Sequence, residues 1–347
     1  LVRVSGRVVL VNGVSRYLGG LLAAELSADP TIERLIGVDV VPPRSDVGRT
    51  EFVRADIRNP IIAKVIASAQ VDTVVHMSVI ATPFGAGGRT AMKEINVIGT
   101  MQLLAACQKA PTVRKLVVKS TTAVYGSSSR DPALFTENME PRNLPGSGYA
   151  KDSVEVEGYV RGLGRRRPDV DVTLLRFANF IGPSIDTPLT RYFALPVVPK
   201  VFGFDPRVQF VHVDDGLEVL RRAVIEDHRG TFNVAGEGVL LLSQAIRRAG
   251  RTSFPILSPA VSLAGSMFRR TGLVDFSPEQ LRFLQFGRAV DTTRLRDDFR
   301  YDPRYTTLSA FDDFVVGSGL QRIIDPDKIE AVGRTVAGLA GLGVGRA

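Results

Sequence analysis

Residues 7–20, RVVLVNGVSRYLGG, narrow the choice of fold more than any other stretch of the chain. An apolar, β-branched run stops at Gly13, and a helical pattern opens soon after with Gly19 in its first turn. A strand that turns this tightly into a helix aims free backbone N–H groups at the space above the helix N-terminus, where a phosphate is favoured. Gly13 permits the turn and Gly19 lets helix and strand approach, while Arg16, Tyr17 and Leu18 fill the turn between them.

The same alternation continues. Strands are expected at Val8–Val11, Leu35–Val38, Glu51–Arg54, Thr73–His76, Lys115–Lys119 and Val172–Arg176, with helices near Leu18–Ala28, Ile61–Ala69, Thr90–Ala110 and Tyr149–Arg165. Such alternation predicts a parallel sheet with right-handed crossovers and helices on both faces. It is the pattern of a doubly wound α/β fold, whose ligand lies over the carboxyl ends of the strands. After Pro183 the pattern loosens into a stretch rich in proline and aromatics, then the strand-like VQFVHV, a helix near Asp215–Ile225, and GTFNVAG. A smaller lobe that returns to the sheet suits these pieces better than an independent second domain.

With 347 residues and 44% hydrophobic content, the chain can bury a sizeable core. Its formal charge of +8 suits an anionic small molecule, an acidic partner or a lipid surface, with a simply solvated basic face the favoured reading. No basic block is interleaved with aromatics, which argues against nucleic acid. Cys107, the sole cysteine, excludes an intrachain disulfide and points to a reducing, cytoplasmic setting. No apolar run is long enough to span a membrane, and no charged-then-apolar leader opens the sequence. The apolar stretch Ser258–Arg270, with its basic end, suits peripheral membrane contact or, as favoured here, a helix covering the smaller lobe. No His, Cys, Asp or Glu spacing suggests a metal, and no Gly-x-Ser-x-Gly elbow suggests a hydrolase.

If the first turn binds a dinucleotide, an acid should end the second strand to meet the adenosine ribose. Asp39, in LIGVDV, does so, and Asp56, in RADIRN, ends the third strand where an adenine edge would be read. With VVHMSV, NVIGT (Asn96–Thr100), STTAVYG (Ser120–Gly126), Tyr149, RFANFIGP (Arg176–Pro183), VHVDD at His212 and NVAG at Asn233, these motifs form an ordered set. The set resembles the extended short-chain dehydrogenase/reductases, in the NAD-dependent epimerase/dehydratase branch that includes UDP-galactose 4-epimerases and nucleotide-sugar dehydratases. The resemblance covers roughly residues 7 to 315.

That resemblance implies a Rossmann-type dinucleotide domain over residues 1–178, a smaller substrate lobe over 179–330 interleaved with it, and a flexible tail over 331–347. It implies NAD across the sheet top, served by Gly13, Gly19, Asp39, Asp56, Ile57 and Asn96, with Arg16, Tyr17 and Leu18 in the turn. A nucleotide-sugar would lie toward Asn179, and a homodimer would form through the two long helices. The family chemistry removes a hydride from a sugar carbon and returns it, or uses the ketone to acidify a neighbouring C–H. A tyrosine, here Tyr149, acts as acid/base; a Ser/Thr, here Thr121, hydrogen-bonds the reacting oxygen; and a lysine lowers the tyrosine pKa.

The sequence departs from the family in three places. Arg16 stands where the middle glycine of GxxGxxG would admit a pyrophosphate. It would reach over the phosphates or toward an NADP 2′-phosphate, but Asp39 repels the latter, so NAD is expected. Ser153 replaces the lysine one helical turn after Tyr149, and Lys151 points away, about 200° round the helix. Lys119, two residues before Thr121 on the same strand face, is therefore expected to supply the missing cation. Val208 stands where a diphosphate-gripping arginine is usual; Arg207 serves only if the backbone re-aims it, and Arg191 is the other candidate. His76 and His212 read as structural, with Asp215 capping the helix that begins there. Two further functions stay open beside the nucleotide-sugar enzyme: a sterol or lipid-alcohol oxidoreductase similar to 3β-hydroxysteroid dehydrogenases, and a dinucleotide-binding sensor or scaffold without fast chemistry.

Overall fold

Strand β1 (Arg7–Asn12) sends successive side chains into two different cores, and this sets the layering of the molecule. Val9 and Val11 enter one core with Leu22 and Leu26, whereas Leu10 enters the other with Ile62 and Ile66. Full burial of each such side chain stabilises the fold by about 1.5–3 kcal/mol. The computed structural model describes residues 6–77, 87–141, 145–146, 148–257 and 278–320. The expected stretch Ser258–Arg270 and the tail over 331–347 lie outside the described residues.

After β1 come α1 (Tyr17–Ser27), β2 (Ile32–Asp39), β3 (Glu51–Arg54), α2 (Ile61–Ser68) and β4 (Thr73–His76). The helix expected over residues 90–110 is a composite of α3 (Arg89–Lys93), a π-helical segment (Glu94–Gly99) and α4 (Thr100–Lys109). The widened turn brings Gly99 so close to Ile57 that a Cβ there would stand 2.8 Å from its side chain. Next are β5 (Lys115–Thr121), a 3₁₀ turn (Thr122–Tyr125), α5 (Gly148–Arg166) and β6 (Asp171–Phe177).

The second half supplies β7 (Asn179–Ile181), α6 (Pro188–Ala194), β8 (Val197–Val201), β9 (Arg207–Val208), β10 (Phe210–His212), α7 (Val213–Ile225) and β11 (Gly230–Val234). It ends with β12 (Leu240–Leu241), α8 (Leu242–Arg248), β13 (Thr252–Ile256), α9 (Pro278–Phe286), α10 (Thr293–Asp297) and α11 (Thr307–Gly317). The main sheet is parallel, in the order β11-β6-β5-β4-β1-β2-β3. The order in which strands are added reverses between β1 and β4, the switch point at which ligands bind in doubly wound sheets.

Helices α1 and α7 cover one face of this sheet, with Leu22, Leu26, Leu217, Leu220 and Val224. Helices α2, α4 and α5 cover the other through Ile62, Ile66, Leu103, Val156 and Val160. Strand β11 comes from the second half, so the chain does return to the sheet. The smaller lobe has its own core, in which Tyr192, Phe193, Phe210, Phe311 and Phe314 pack together.

Asp215 corrects the sequence expectation. The cap of α7 is His212, whose Nδ1 accepts the Asp214 N–H at 3.2 Å. Asp215 is buried and instead receives the Tyr301 hydroxyl at 2.6 Å and the N–H groups of Arg304 and Tyr305 at 2.8 and 3.0 Å. A carboxylate in the first turn was legible as a cap; its three distant donors were not.

Candidate active site

Gly13 has φ +83°, donates its N–H to Val38 O at 2.9 Å and accepts the Arg16 N–H at 3.1 Å. A Cβ on Gly19 would stand 2.1 Å from Gly13 O, so only glycine lets α1 start this close to the turn. Asp39 is pinned to the rim of the turn. One of its carboxylate oxygens accepts the Ser15 N–H at 3.1 Å and the other the Val40 N–H at 2.8 Å.

Farther out along the sheet, the remaining expected cofactor groups have partners within the protein. Arg58 grips the Asp56 carboxylate at 2.6–3.1 Å and reaches Glu94 at 3.1 Å, which holds the Asp56 carboxyl below the usual range. Ile57 is buried beneath the π-helical segment. Asn96 is fully buried and donates to Asp152 at 3.1 Å, a carboxylate that Arg89 also holds at 2.7 and 2.8 Å. Neither Asp39 nor these three residues belong to the walls of the main cleft.

That cleft, about 600 Å³, opens over the carboxyl ends of β1, β4 and β5. Arg16, Tyr17, Leu18 and Gly19 form one wall, and Lys119, Ser120, Thr121 and Tyr149 another. Along β5, Lys119 and Thr121 share the half-exposed face while Ser120 is buried, as a period of two requires. The Thr121 hydroxyl lies close enough to the Tyr149 phenol to bear on its acidity. Burial raises the Tyr149 pKa; Thr121, Ser153 and the charge of Arg288 pull the other way without cancelling it. Ser153 also donates to the Tyr149 carbonyl at 2.9 Å.

Lys119 has its pKa lowered to about 8, by burial first and then by the charge of Arg16. The cation that bears on Tyr149 is therefore Arg288, a residue that sequence reasoning missed. Arg288 follows α9, where Gly287 takes φ +71° with its backbone against β9. A Cβ at Gly287 would stand 2.2 Å from Arg207 O, and the Arg288 N–H donates to that same carbonyl at 3.1 Å. The guanidinium then crosses the cleft to donate to Gly126 O at 2.7 Å and the Ser127 hydroxyl at 3.3 Å, with its carbon 5.2 Å from the Phe283 ring centre. Burial lowers its pKa to about 10. A glycine after a helical pattern was the available signal; its partner, eighty residues earlier in the chain, was not.

Asn179 lines the cleft with Phe177, Phe180, Ile185, Leu189 and Phe283, so the wall toward the smaller lobe is mostly apolar. Arg207 is exposed on β9 and does not line the cleft, in keeping with the register argument. Arg191 also lies outside the walls, tied to Asp186 at 2.6 Å. His76 is buried between Asn12 and Thr100, at 2.9 and 2.7 Å, and burial lowers its pKa to about 4. His212 stacks on Tyr305 with ring centres 3.8 Å apart.

A buried polar network anchors the end of β5 on which the site depends. Glu157 of α5 accepts the Ser120 hydroxyl at 2.6 Å and pairs with Arg176 of β6 at 2.7 Å. Arg176 also donates to the Tyr125 hydroxyl at 2.8 Å, and that hydroxyl donates to Asn233 of β11 at 2.8 Å. Ser120 lies between Lys119 and Thr121, so the network fixes the strand that carries both. Among the described residues, no group of three or more His, Cys, Asp or Glu could hold a metal ion, and no helix is long and apolar enough to cross a membrane.

An uncharacterized protein of Mycobacterium tuberculosis is 51% identical over 338 residues, covering 96% of this chain and 90% of its own. A UDP-glucose 4-epimerase of Mycolicibacterium smegmatis is 29% identical over 241 residues, covering 62% of this chain and 72% of its own. The solved dTDP-glucose 4,6-dehydratase of Bacillus anthracis in complex with NAD shares the fold, with a TM-score of 0.69 at 18% identity over 90% of this chain and 97% of that one. The model of the NAD dependent epimerase/dehydratase family matches residues 9–235, a span that holds the glycine turn, Thr121 and Tyr149, so the chain belongs to this family.

Proposed function

We propose that the protein is an NAD-dependent enzyme that oxidises and re-reduces a secondary alcohol of a nucleotide-sugar, in the manner of an epimerase or dehydratase. The observation that carries this is that Tyr149 and Thr121 line the cleft together at the carboxyl end of β5, where the Thr121 hydroxyl lowers the pKa of the Tyr149 phenol. The tight Gly13–Gly19 approach and the Asp39 carboxylate at the end of β2 fit a dinucleotide and favour NAD over NADP, because a 2′-phosphate would meet the acid. When bound, the nicotinamide ring supplies a hydride acceptor.

Thr121 would hold the substrate oxygen, and Tyr149 would take its proton as the carbonyl forms and return it on reduction. Arg288 supports the base step by stabilising phenolate, offsetting in part what the absence of lysine at position 153 removes. The nucleotide-sugar assignment draws on the printed activities of the relatives, a UDP-glucose 4-epimerase and a dTDP-glucose 4,6-dehydratase.

The test starts from purified protein, denatured and examined for released dinucleotide by mass spectrometry, followed by assay for UDP-glucose and UDP-galactose interconversion. Tyr149→Phe should lower turnover by roughly 10²–10⁴ while leaving dinucleotide affinity within about twofold. Turnover unaffected by the substitution refutes the assignment of Tyr149. The apolar wall of Phe177, Phe180, Ile185, Leu189 and Phe283 favours a second reading, a sterol or lipid alcohol. Sterol-dependent NADH formation without UDP-sugar binding at millimolar ligand selects it.

A further inference from the structure

Arg16 and Lys119 line the same cleft, one from the turn before α1 and one from the end of β5. Among the described residues, the side chain of neither forms an ion pair within 4 Å or a hydrogen bond, whereas Arg34, Arg58, Arg176 and Arg191 each hold a carboxylate. Asp39 is the acid whose field reaches Arg16, and both its oxygens already accept backbone N–H groups. The charge of Arg16 disfavours that of Lys119, so the two cations repel across a cleft whose lining carboxylate, Asp186, is already held by Arg191. Helix α1 begins beside them with no acidic residue in its first turn and no side-chain cap, so nothing anionic from the helix screens them. A doubly charged anion between the two side chains would turn this repulsion into attraction.

We propose that Arg16 and Lys119 form a two-cation clamp for a diphosphate, the pyrophosphate of the dinucleotide, so that charged side chains grip what a glycine at position 16 would leave to the backbone. The clamp rests on the reading of the cleft as a dinucleotide site. It makes Arg16 an adaptation rather than a defect, and it gives Lys119 a binding role separate from the proton chemistry at Tyr149. A nucleotide-sugar also carries a diphosphate, so each ligand must be titrated alone.

The test is calorimetric titration of NAD⁺ and, separately, UDP-glucose into the wild-type protein, Arg16→Gly, Arg16→Lys and Lys119→Met, at low and moderate salt. Arg16→Gly restores the family's glycine, and glycine is tolerated at a helix N-cap, so the fold should persist; a circular dichroism melt checks this. The clamp predicts that Arg16→Gly and Lys119→Met each weaken NAD⁺ binding at least about tenfold and flatten its salt dependence, while Arg16→Lys keeps most of both. UDP-glucose affinity should stay unchanged in all three.

Arg16→Gly binding NAD⁺ as tightly as wild type, with the same salt dependence, overturns the clamp and leaves the proposed function standing. Loss confined to UDP-glucose overturns the dinucleotide assignment of the clamp. Wild-type protein that binds no NAD⁺ overturns the function and the clamp together.

Discussion

Replacing Glu157 with glutamine removes one charge from a place where its partner has little water to turn to. Arg176 and Glu157 have side chains only 9% and 2% exposed, and the carboxylate receives Arg176 at 3.0 and 2.7 Å through Nε and Nη2. The Ser120 hydroxyl at 2.6 Å and Arg161 at 3.3 Å complete its set. Glutamine keeps the volume and an acceptor for Ser120 but leaves the Arg176 cation buried and unpaired, which costs about 3–5 kcal/mol. Unfolding entropy is about 2.1 cal/mol/K per residue, or about 0.7 kcal/mol/K for a chain of 347 residues, so Tm should fall by about 4–7 °C. Differential scanning calorimetry reads this directly. The paired replacement Glu157→Leu with Arg176→Met should recover much of the loss, because two apolar side chains of similar size leave no orphan charge. A fall below about 1 °C for Glu157→Gln would refute the claim that this pair holds the end of β5 in place.

Arg288→Met should lower turnover and raise the apparent pKa of the basic group in the pH–rate profile, whereas Arg207→Ala should change neither; steady-state kinetics against pH separates the two arginines. NAD⁺ affinity should be highest below pH 8 and fall above it as Lys119, with a pKa of about 8, loses its proton. A bound diphosphate raises that pKa, so log K should drop by up to about one unit per pH unit between the free and bound values. The other groups near Lys119 do not titrate there, since Arg16 remains charged and His76, with its pKa lowered to about 4, remains neutral. Titrations between pH 6.5 and 9.5 check the trend, and a flat profile contradicts it.

Much of the fold was legible because each sheet strand is a short apolar run between a glycine or acid and a helical pattern. Thr73–His76 and Glu51–Arg54 fall on the expected residues, and the remaining core strands extend by one to three positions at their ends. The shared face of Lys119 and Thr121 followed from strand period, whereas Arg191 and Arg207, the arginines expected to meet the substrate, both lie outside the cleft walls. What escaped was anything fixed by contacts between distant segments. The π-helical widening at Glu94–Gly99 sets Gly99 against Ile57, a contact between segments some forty residues apart. Arg58 closes on Asp56 and reaches Glu94, a residue far along the chain. Arg288 owes its place to a glycine wedged against a carbonyl in β9, and no local pattern announces that fit.

Arg288 has a further consequence through its neighbours on either side. Behind it, Gly287 and the Arg207 carbonyl belong to the smaller lobe; ahead of it, Ala289 and Asp291 bond to Phe135, on the sheet side of the cleft. Its guanidinium ends on Gly126 and Ser127, just past the end of β5. The arginine thus ties the segment after α9 to the end of β5, and the same placement brings its charge to bear on Tyr149. Any substitution that unseats Gly287 from β9 therefore disturbs two things at once, a contact between distant segments and a charge felt by the Tyr149 phenol.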